Sequence, residues 1–373
     1  RNAELAGRWT LTVRAYAGTD LDDVSDAIDA AFARFAEQGV LAEELERIKA
    51  GYETDFYSGL SSVLGKAFQL AQYNIFADDP GFASEDLSRL LEVTEEDVVR
   101  VYETYIAGQP FVATSFVPRG EVELALEDAV RAEVVEEPIV MGAEAEIGEI
   151  ARGEARTPSE IDRSVEPPYG TPPELSAPTV WRTELAGGLP VLGIEDREVP
   201  LVSFRLVVEG GQMAEDPTRP VGVANLLAES MIAGTATRTP EELEKAIDLL
   251  GASIDVRAGP QTFVISGSTL SRNFDATMEL VQEILLEPRF DEEEFVLSQQ
   301  RVRNGLQQRA ASPVALASDV FRGLLYGEHV LAANPLGDLE TIEEISLDDL
   351  RAYHQRVLAP GVAALHVTGD AVS

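Results

Sequence analysis

The sequence predicts an α+β fold made of two copies of one domain, of which the first copy is truncated. The main observation is an internal repeat, because the order strand, four helices, strand at residues 8–117 recurs at residues 262–368. Segments 85–118 and 337–369 share the same succession of a short helix, an acidic capped helix and a strand. Hydrophobic residues make up 45% of the 373 residues, which is enough for each half to bury a core.

The first copy opens with a predicted strand. Residues 8–17 alternate apolar and polar side chains, as a half-buried strand does. A helix is predicted next, with Asp20 as its N-cap and Gly39 as its end. Three further helices are predicted at 41–60, 61–76 and 93–106. Residues 110–118 are rich in β-forming side chains and predict the closing strand of this copy.

A change of composition separates the two copies. Residues 133–155 are rich in Glu, and residues 157–178 hold six prolines. Such a segment is typical of an extended linker rather than of a packed domain. The sequence therefore predicts three parts, namely residues 1–120, a linker over 121–177 and a second domain over 178–373.

The second copy is predicted to be nearly complete. It opens with a β-hairpin around Gly187-Gly188 and a strand near 199–211. The stretch VGVANLLAESMIAGT at 221–235 predicts an apolar helix that ends at a glycine. The next helix begins with a capping box between Thr239 and Glu242. Two strands are then predicted at 253–258 and 262–270.

The charge of the chain restricts its partners. Lys and Arg number 29 against 66 Asp and Glu, a net charge of −37, which argues against binding to nucleic acids or anionic membranes. Two explanations stay open, namely solubility in salt and an acidic chamber for basic peptides. The absence of cysteine excludes thiolate zinc sites and cysteine nucleophiles. No apolar run reaches 18 residues, so no membrane insertion is expected.

Both halves resemble the pitrilysin/insulinase family of zinc metallopeptidases, the inverzincins, which include proteins like the mitochondrial processing peptidase. Residues 4–24 (ELAGRWTLTVRAYAGTDLDDV) and 93–106 (VTEEDVVRVYETYI) resemble the second domain of the family, and residues 188–235 resemble the start of a repeat half. The resemblance implies four α/β sandwich domains, each a mostly antiparallel sheet with helices packed on it, in two halves that enclose the substrate. It places residues 1–120 in domain two and 178–373 in domain three, which is the degenerate one.

The zinc motif of the family is missing from the helix that should carry it. The resemblance implies His-x-x-Glu-His, in which two imidazoles one turn apart bind zinc and the Glu activates water. Asn225, Ala228 and Glu229 stand at these three positions. The family also has an acidic ligand about 75 residues later, whereas residues 295–318 contain no Asp or Glu. We therefore predict no catalytic residue and no metal ligand in this chain.

Two kinds of side chain need a separate interpretation. Glu229 is either a buried carboxylate with a role or a solvent-facing residue, and the cost of burying an unpaired carboxylate favours the second. His329, His354 and His366 are the three histidines, and no two lie four residues apart. Structural or surface roles are the expected ones for all three.

The functional prediction is a non-catalytic part of a zinc-dependent peptidase, forming the chamber wall opposite the zinc site. The resemblance implies zinc in an upstream domain of the parent protein, with peptide substrates and the remaining domains or a catalytic subunit as partners. An inactive structural or peptide-binding relative of the family, and a separate partner subunit, are the alternatives. Family members of this layout are often exported, which favours a periplasmic or secreted location. Because the first copy lacks strands, we expect residues 1–120 to pack against 178–373 or to borrow a partner chain, such as a second copy.

Overall fold

The computed structural model describes residues 7–130, 162, 164–166, 170, 171, 174, 176–357 and 363–371. These residues form a mixed fold with one six-stranded sheet, so the predicted α+β class is confirmed. The helices are α1 (Leu21–Gln38), α2 (Ala42–Leu60), α3 (Val63–Phe76), α4 (Ala83–Leu91), α5 (Glu95–Tyr105), α6 (Val223–Met231), α7 (Pro240–Leu249), α8 (Phe274–Leu286), α9 (Glu292–Ala310), α10 (Pro313–Tyr326) and α11 (Leu347–Val357). The strands are β1 (Val180–Glu184), β2 (Pro190–Glu195), β3 (Leu201–Glu209), β4 (Ser253–Ala258), β5 (Thr262–Leu270) and β6 (Ala363–Gly369).

The chain divides into two compact units. One comprises Arg1–Arg8, Arg34–Gln109 and Pro178–Ser373, and the other comprises Trp9–Ala33 and Pro110–Ala177. In the second unit the backbone N–H of Glu127 donates to the Asp22 carboxylate at 2.9 Å. The predicted division at 120 and 178 stays a prediction, and most of the predicted linker lies outside the described residues.

The sheet has the order β1-β2-β6-β3-β5-β4 and is antiparallel except between β2 and β6. Side chains alternate over the middle of β3, so that Val202, Phe204 and Leu206 are buried whereas Ser203 and Arg205 are exposed. In all six strands, residues that the register pairs across neighbouring strands lie on the same face of the sheet. The sheet therefore has a buried face, against which the helices pack, and an open face that carries both polar and apolar side chains.

Helix α6 lies at the centre of the hydrophobic core on the buried face. Leu226, Leu227 and Met231 are each no more than 2% exposed. They belong to one cluster with side chains of the sheet and of α7, α8, α9 and α11. A fully buried side chain of this size contributes about 1.5–3 kcal/mol through the hydrophobic effect. The apolar character of α6 is thus explained by its central place in the core.

Capping residues set several helix ends as predicted. The Thr239 N–H donates to Glu242 at 2.8 Å and the Glu242 N–H to the Thr239 hydroxyl at 3.3 Å, so both halves of the capping box form. Asp20 accepts from the N–H of Asp22 at 3.0 Å, and α1 ends just before Gly39, whose φ is +69°.

The predicted strands at the two ends of the first copy are wrong. Residues 8–17 and 110–118 are described and contain no β-strand. Their alternation is real, but Trp9 remains 60% exposed and Phe116 90% exposed, because no neighbouring strand pairs with either segment. A strand is stabilised by its ladder and its cross-strand contacts, and alternation alone supplies neither.

Helix α2 of the first copy packs on the second copy, which meets part of our expectation. Arg47 Nη1 lies 2.8 Å from Asp248 Oδ2, and Lys245 Nζ lies 2.6 Å from Glu43 Oε2. The Thr54 hydroxyl donates to the carbonyl of Gly251 at 2.7 Å. These contacts join α2 to the side and the C-terminal end of α7.

A bidentate ion pair closes the same contact. The Glu53 side chain of α2 is only 9% exposed, and Arg272 Nη1 donates to its Oε1 at 2.7 Å while Nη2 donates to its Oε2 at 2.5 Å. A carboxylate buried to this degree needs such a partner, since burying it alone is costly. By contrast, α1, α3, α4 and α5 bury no residue completely. Among the described helices none is long and apolar enough to cross a membrane.

Candidate functional site

The candidate site is built on α6 and on α9, a helix that packs against it. Gly222 precedes α6 with φ +117°, a conformation that favours glycine. Because Gly222 has no side chain, the helix begins without a side-chain cap of its own. Ile232 is the C-cap of the helix, and Gly234, with φ +108°, turns the chain two residues later. The predicted glycine-terminated helix is thus confirmed.

Glu215, which precedes α6 by eight residues, caps the N-terminus of this helix with its side chain. Its carboxylate accepts from the N–H of Gly222 at 3.1 Å and from the N–H of Ala224 at 2.9 Å. Burial raises the pKa of Glu215, although these two hydrogen bonds and the charge of Arg356 act in the opposite direction. Sequence reasoning missed this residue. The available signal was a helix start without Ser, Thr, Asp or Asn and an acidic residue shortly before it.

The pH dependence of Glu215 can be tested by the substitution Glu215→Gln. A raised pKa in the folded state gives a stabilisation that is fully present below the pKa of the unfolded chain, near 4.5, and is lost as pH rises through the folded value. We therefore expect the variant to be less stable than the native chain by about 1 kcal/mol at pH 4.5 and this deficit to shrink towards pH 7. Urea unfolding at both pH values measures it, and a deficit that grows with pH would contradict the assignment.

The three positions of the zinc motif have different environments. Asn225 and Glu229 lie one turn apart and are half-buried, whereas Ala228 is 3% exposed and belongs to the core. The Asn225 Nδ2 atom is buried and has no hydrogen-bond partner among the described residues. The structure therefore brings two of the three positions onto one partly accessible face.

An arginine from α9 completes the site. Arg301 Nη1 donates to Glu229 Oε2 at 2.9 Å, with side-chain exposures of 62% and 36%. The two residues are 72 positions apart, so Arg301 lies where the family resemblance places its acidic ligand. Sequence reasoning noted only that residues 295–318 contain no Asp or Glu and missed the pair. Glu229 is neither buried and unpaired nor free in solvent.

These residues do not fit a zinc ion. Zinc needs deprotonated ligands, usually with imidazole or thiolate among them, and here the one carboxylate faces a guanidinium that stays protonated. A divalent cation at this place would meet the like charge of Arg301 at close range. Among residues 7–130, 176–357 and the other described positions, no group of three or more His, Asp or Glu could hold a metal ion.

The histidines lie in three separate places. His354 on α11 has Nε2 2.7 Å from the carbonyl oxygen of Leu285, and burial lowers its pKa. His329 lies after α10, and its Nδ1 accepts from the N–H of Leu331 at 3.2 Å. His366 is exposed on β6 and points to the open face of the sheet. The structure does not bring them together.

Comparison with known proteins relates the second copy to a peptidase family. Residues 191–334 match the family model described as Insulinase (Peptidase family M16). A protein of Mycobacterium leprae named "Uncharacterized zinc protease" is 25% identical over 191 residues, which is 51% of this chain and 43% of that protein. One of the same name from Rickettsia bellii is 25% identical over 166 residues, 44% of this chain and 40% of that protein. The chain thus spans less than half the length of these two relatives.

Two solved structures are similar to part of the chain. The "peptidase M16 inactive domain" of Pseudomonas fluorescens is 26% identical, with a TM-score of 0.49 over 52% of this chain and 47% of that one. A "protease from Helicobacter pylori" is 21% identical, with a TM-score of 0.48 over 53% of this chain and 48% of that one. The family resemblance predicted from the sequence is confirmed by the family model and the relatives. Through residues 191–334, the chain is related to the insulinase-like M16 family of zinc proteases.

Proposed function

We propose that the chain is a non-catalytic part of an M16-type zinc peptidase and that residues 178–373 form the wall of the substrate chamber opposite the zinc site. One observation carries the proposal, namely the ion pair between Glu229 and Arg301 at two positions that zinc chemistry would need. The pair neutralises the only carboxylate at the three motif positions and puts a fixed cation beside it. A zinc-bound hydroxide cannot be generated there.

The proposal assigns the chemistry to another part of the parent protein. Zinc, its two imidazoles and the activating Glu would lie in a domain or subunit outside these 373 residues, and peptides would be the substrates. Helix α6 packs as a core element, with seven buried residues, and none of its side chains is an imidazole. Such a helix supports the position of the sheet and of α9 without taking part in hydrolysis.

A peptidase assay on the isolated chain tests this function. Quenched fluorescent peptides of mixed sequence are incubated with the chain and zinc, with and without a metal chelator, next to an active M16 peptidase as the positive control. We expect the chain to show no metal-dependent hydrolysis, so that the chelator makes no difference to the signal. Chelator-sensitive cleavage that persists through size-exclusion chromatography of the chain would overturn the proposal.

A further inference from the structure

The open face of the sheet carries an ordered row of six side chains, five of them polar. Residues aligned by the strand register run across all six strands, and this set is named the central row. Its members from β1 to β4 are Arg182, Leu192, His366, Arg205, Ser266 and Asp255. Arg182, Arg205 and His366 are each exposed. The central row thus places two arginines and a histidine, all exposed, on three of four neighbouring strands.

The two arginines of the central row have no charge partner. Neither Arg182 nor Arg205 forms an ion pair or side-chain hydrogen bond with any described residue, whereas Arg257 on the same face pairs with Asp255 at 2.7 Å. Three arginines and three carboxylates lie on the open face, and the latter are Glu184, Glu209 and Asp255. The open face is thus balanced in charge, whereas the whole chain has 29 basic against 66 acidic residues.

We propose that the open face binds an extended peptide with acidic side chains and that Arg182 and Arg205 take its carboxylates. The proposal rests on the chamber-wall function and adds the place and the chemistry of binding. It differs from an acidic wall for basic peptides, because the central row holds two cations without partners. Arg binds carboxylates through a planar fork of N–H donors, which makes the two free guanidinium groups strong anchors.

The spacing of the anchors fits an extended chain. Arg182 and Arg205 are three strands apart, which is about 14 Å at the usual strand separation. Two carboxylates four residues apart in an extended peptide are separated by about 13 Å. Next to the central row lies a second row whose hydroxyl-bearing members are Thr368, Ser203, Ser268 and Ser253. The hydroxyls of Ser253 and Ser268 lie 3.1 Å apart and bond each other. Those of Thr368 and Ser203 can donate to and accept from a peptide backbone.

The net charge of −37 does not prevent such binding. At an ionic strength of 0.15 M, exposed charges more than roughly 8 Å apart are largely screened from each other. Direct contact between a carboxylate and a guanidinium is made well inside that distance. The local charge of the open face therefore decides the affinity, and the remote acidic surface contributes little.

Fluorescence anisotropy with a labelled nine-residue peptide tests the proposal. The probe carries Glu at positions 3 and 7 among Gly, Ala, Ser and Val, and matched probes carry Gln or Lys at both positions. We expect the native chain to bind the Glu probe more tightly than the Gln probe and not to bind the Lys probe. Arg182→Gln and Arg205→Gln should each weaken Glu-probe binding roughly tenfold. Arg100→Gln, an exposed helix position with the same change of charge, should leave it unchanged.

Each outcome decides the proposal. No binding, equal binding of the Glu and Gln probes, or unchanged binding by the Arg182→Gln/Arg205→Gln double variant with native circular dichroism would overturn it. Sedimentation mass is measured alongside. A dimer that dissociates in the double variant would identify a second copy as the occupant and would also overturn it. Zinc-dependent cleavage by the chain would instead refute the proposed function, while the binding result would stand on its own.

Discussion

Replacement of Gly251 by alanine is expected to detach helix α2 and to lower the free energy of unfolding by about 3 kcal/mol. Gly251 has φ +56°, and a Cβ atom there would lie 2.7 Å from the carbonyl oxygen of Ala50 and 2.6 Å from the Thr54 hydroxyl. The backbone of α2 would have to move away. Because the hydrogen bond from Thr54 and the ion pair between Glu53 and Arg272 belong to the same contact, we expect them to be lost together.

Gly108 offers a matched control for this variant. It has φ +67° after the end of α5, and no heavy atom lies within 4 Å of a Cβ placed there. Gly108→Ala should therefore show only the backbone strain, about 1 kcal/mol. Urea unfolding gives both free energies, and hydrogen exchange reports the protection of residues 42–60. Equal effects of the two substitutions, or unchanged protection of α2, would show that α2 does not pack on the second copy.

The second large effect is a gain of zinc binding. We expect the triple variant Asn225→His, Glu229→His, Arg301→Glu to bind one zinc ion with a dissociation constant of roughly 1–10 μM. The reason is geometric, since residues 225 and 229 share one face of α6 and residue 301 already reaches that face at 2.9 Å. Two imidazoles and one carboxylate would then replace an amide and an ion pair. Calorimetric titration with zinc measures the affinity and the stoichiometry.

The double variant Asn225→His, Glu229→His is the control for the triple variant. It keeps Arg301, whose guanidinium then has no carboxylate to pair with and lies close to the metal. Its zinc affinity should be at least tenfold lower than that of the triple variant. A folded triple variant that binds no more zinc than the double variant would mean that α6 and α9 do not retain the geometry of a zinc site.

Much of the second copy could be predicted because its signals are local. The capping box at Thr239 and Glu242, the glycine that follows α6 and the alternation along β3 each depend on residues close in sequence. The same local signals failed at residues 8–17, where alternation was present and a pairing strand was not. A strand forms only when residues distant in sequence pair with it, and its local pattern indicates only which face would then be buried.

The site was harder to predict for the same reason. The resemblance placed Asn225, Ala228 and Glu229 at the motif positions and an acidic ligand about 75 residues later, but nothing local in the sequence showed that Arg301, 72 residues from Glu229, would pair with it. The free arginines of the central row were equally hidden. Each looks like an ordinary polar residue of an alternating strand, and only the register aligns Arg205 with His366 and Arg182 with Leu192.

A zinc titration of the native chain by isothermal calorimetry tests the central claim most directly. The claim is that α6 has the place of a zinc helix and that Glu229 is committed to Arg301 instead of to a metal. We predict no saturable heat at the concentrations that saturate the triple variant. Binding of one zinc ion per chain with submicromolar affinity, abolished by Glu229→Gln, would contradict the account.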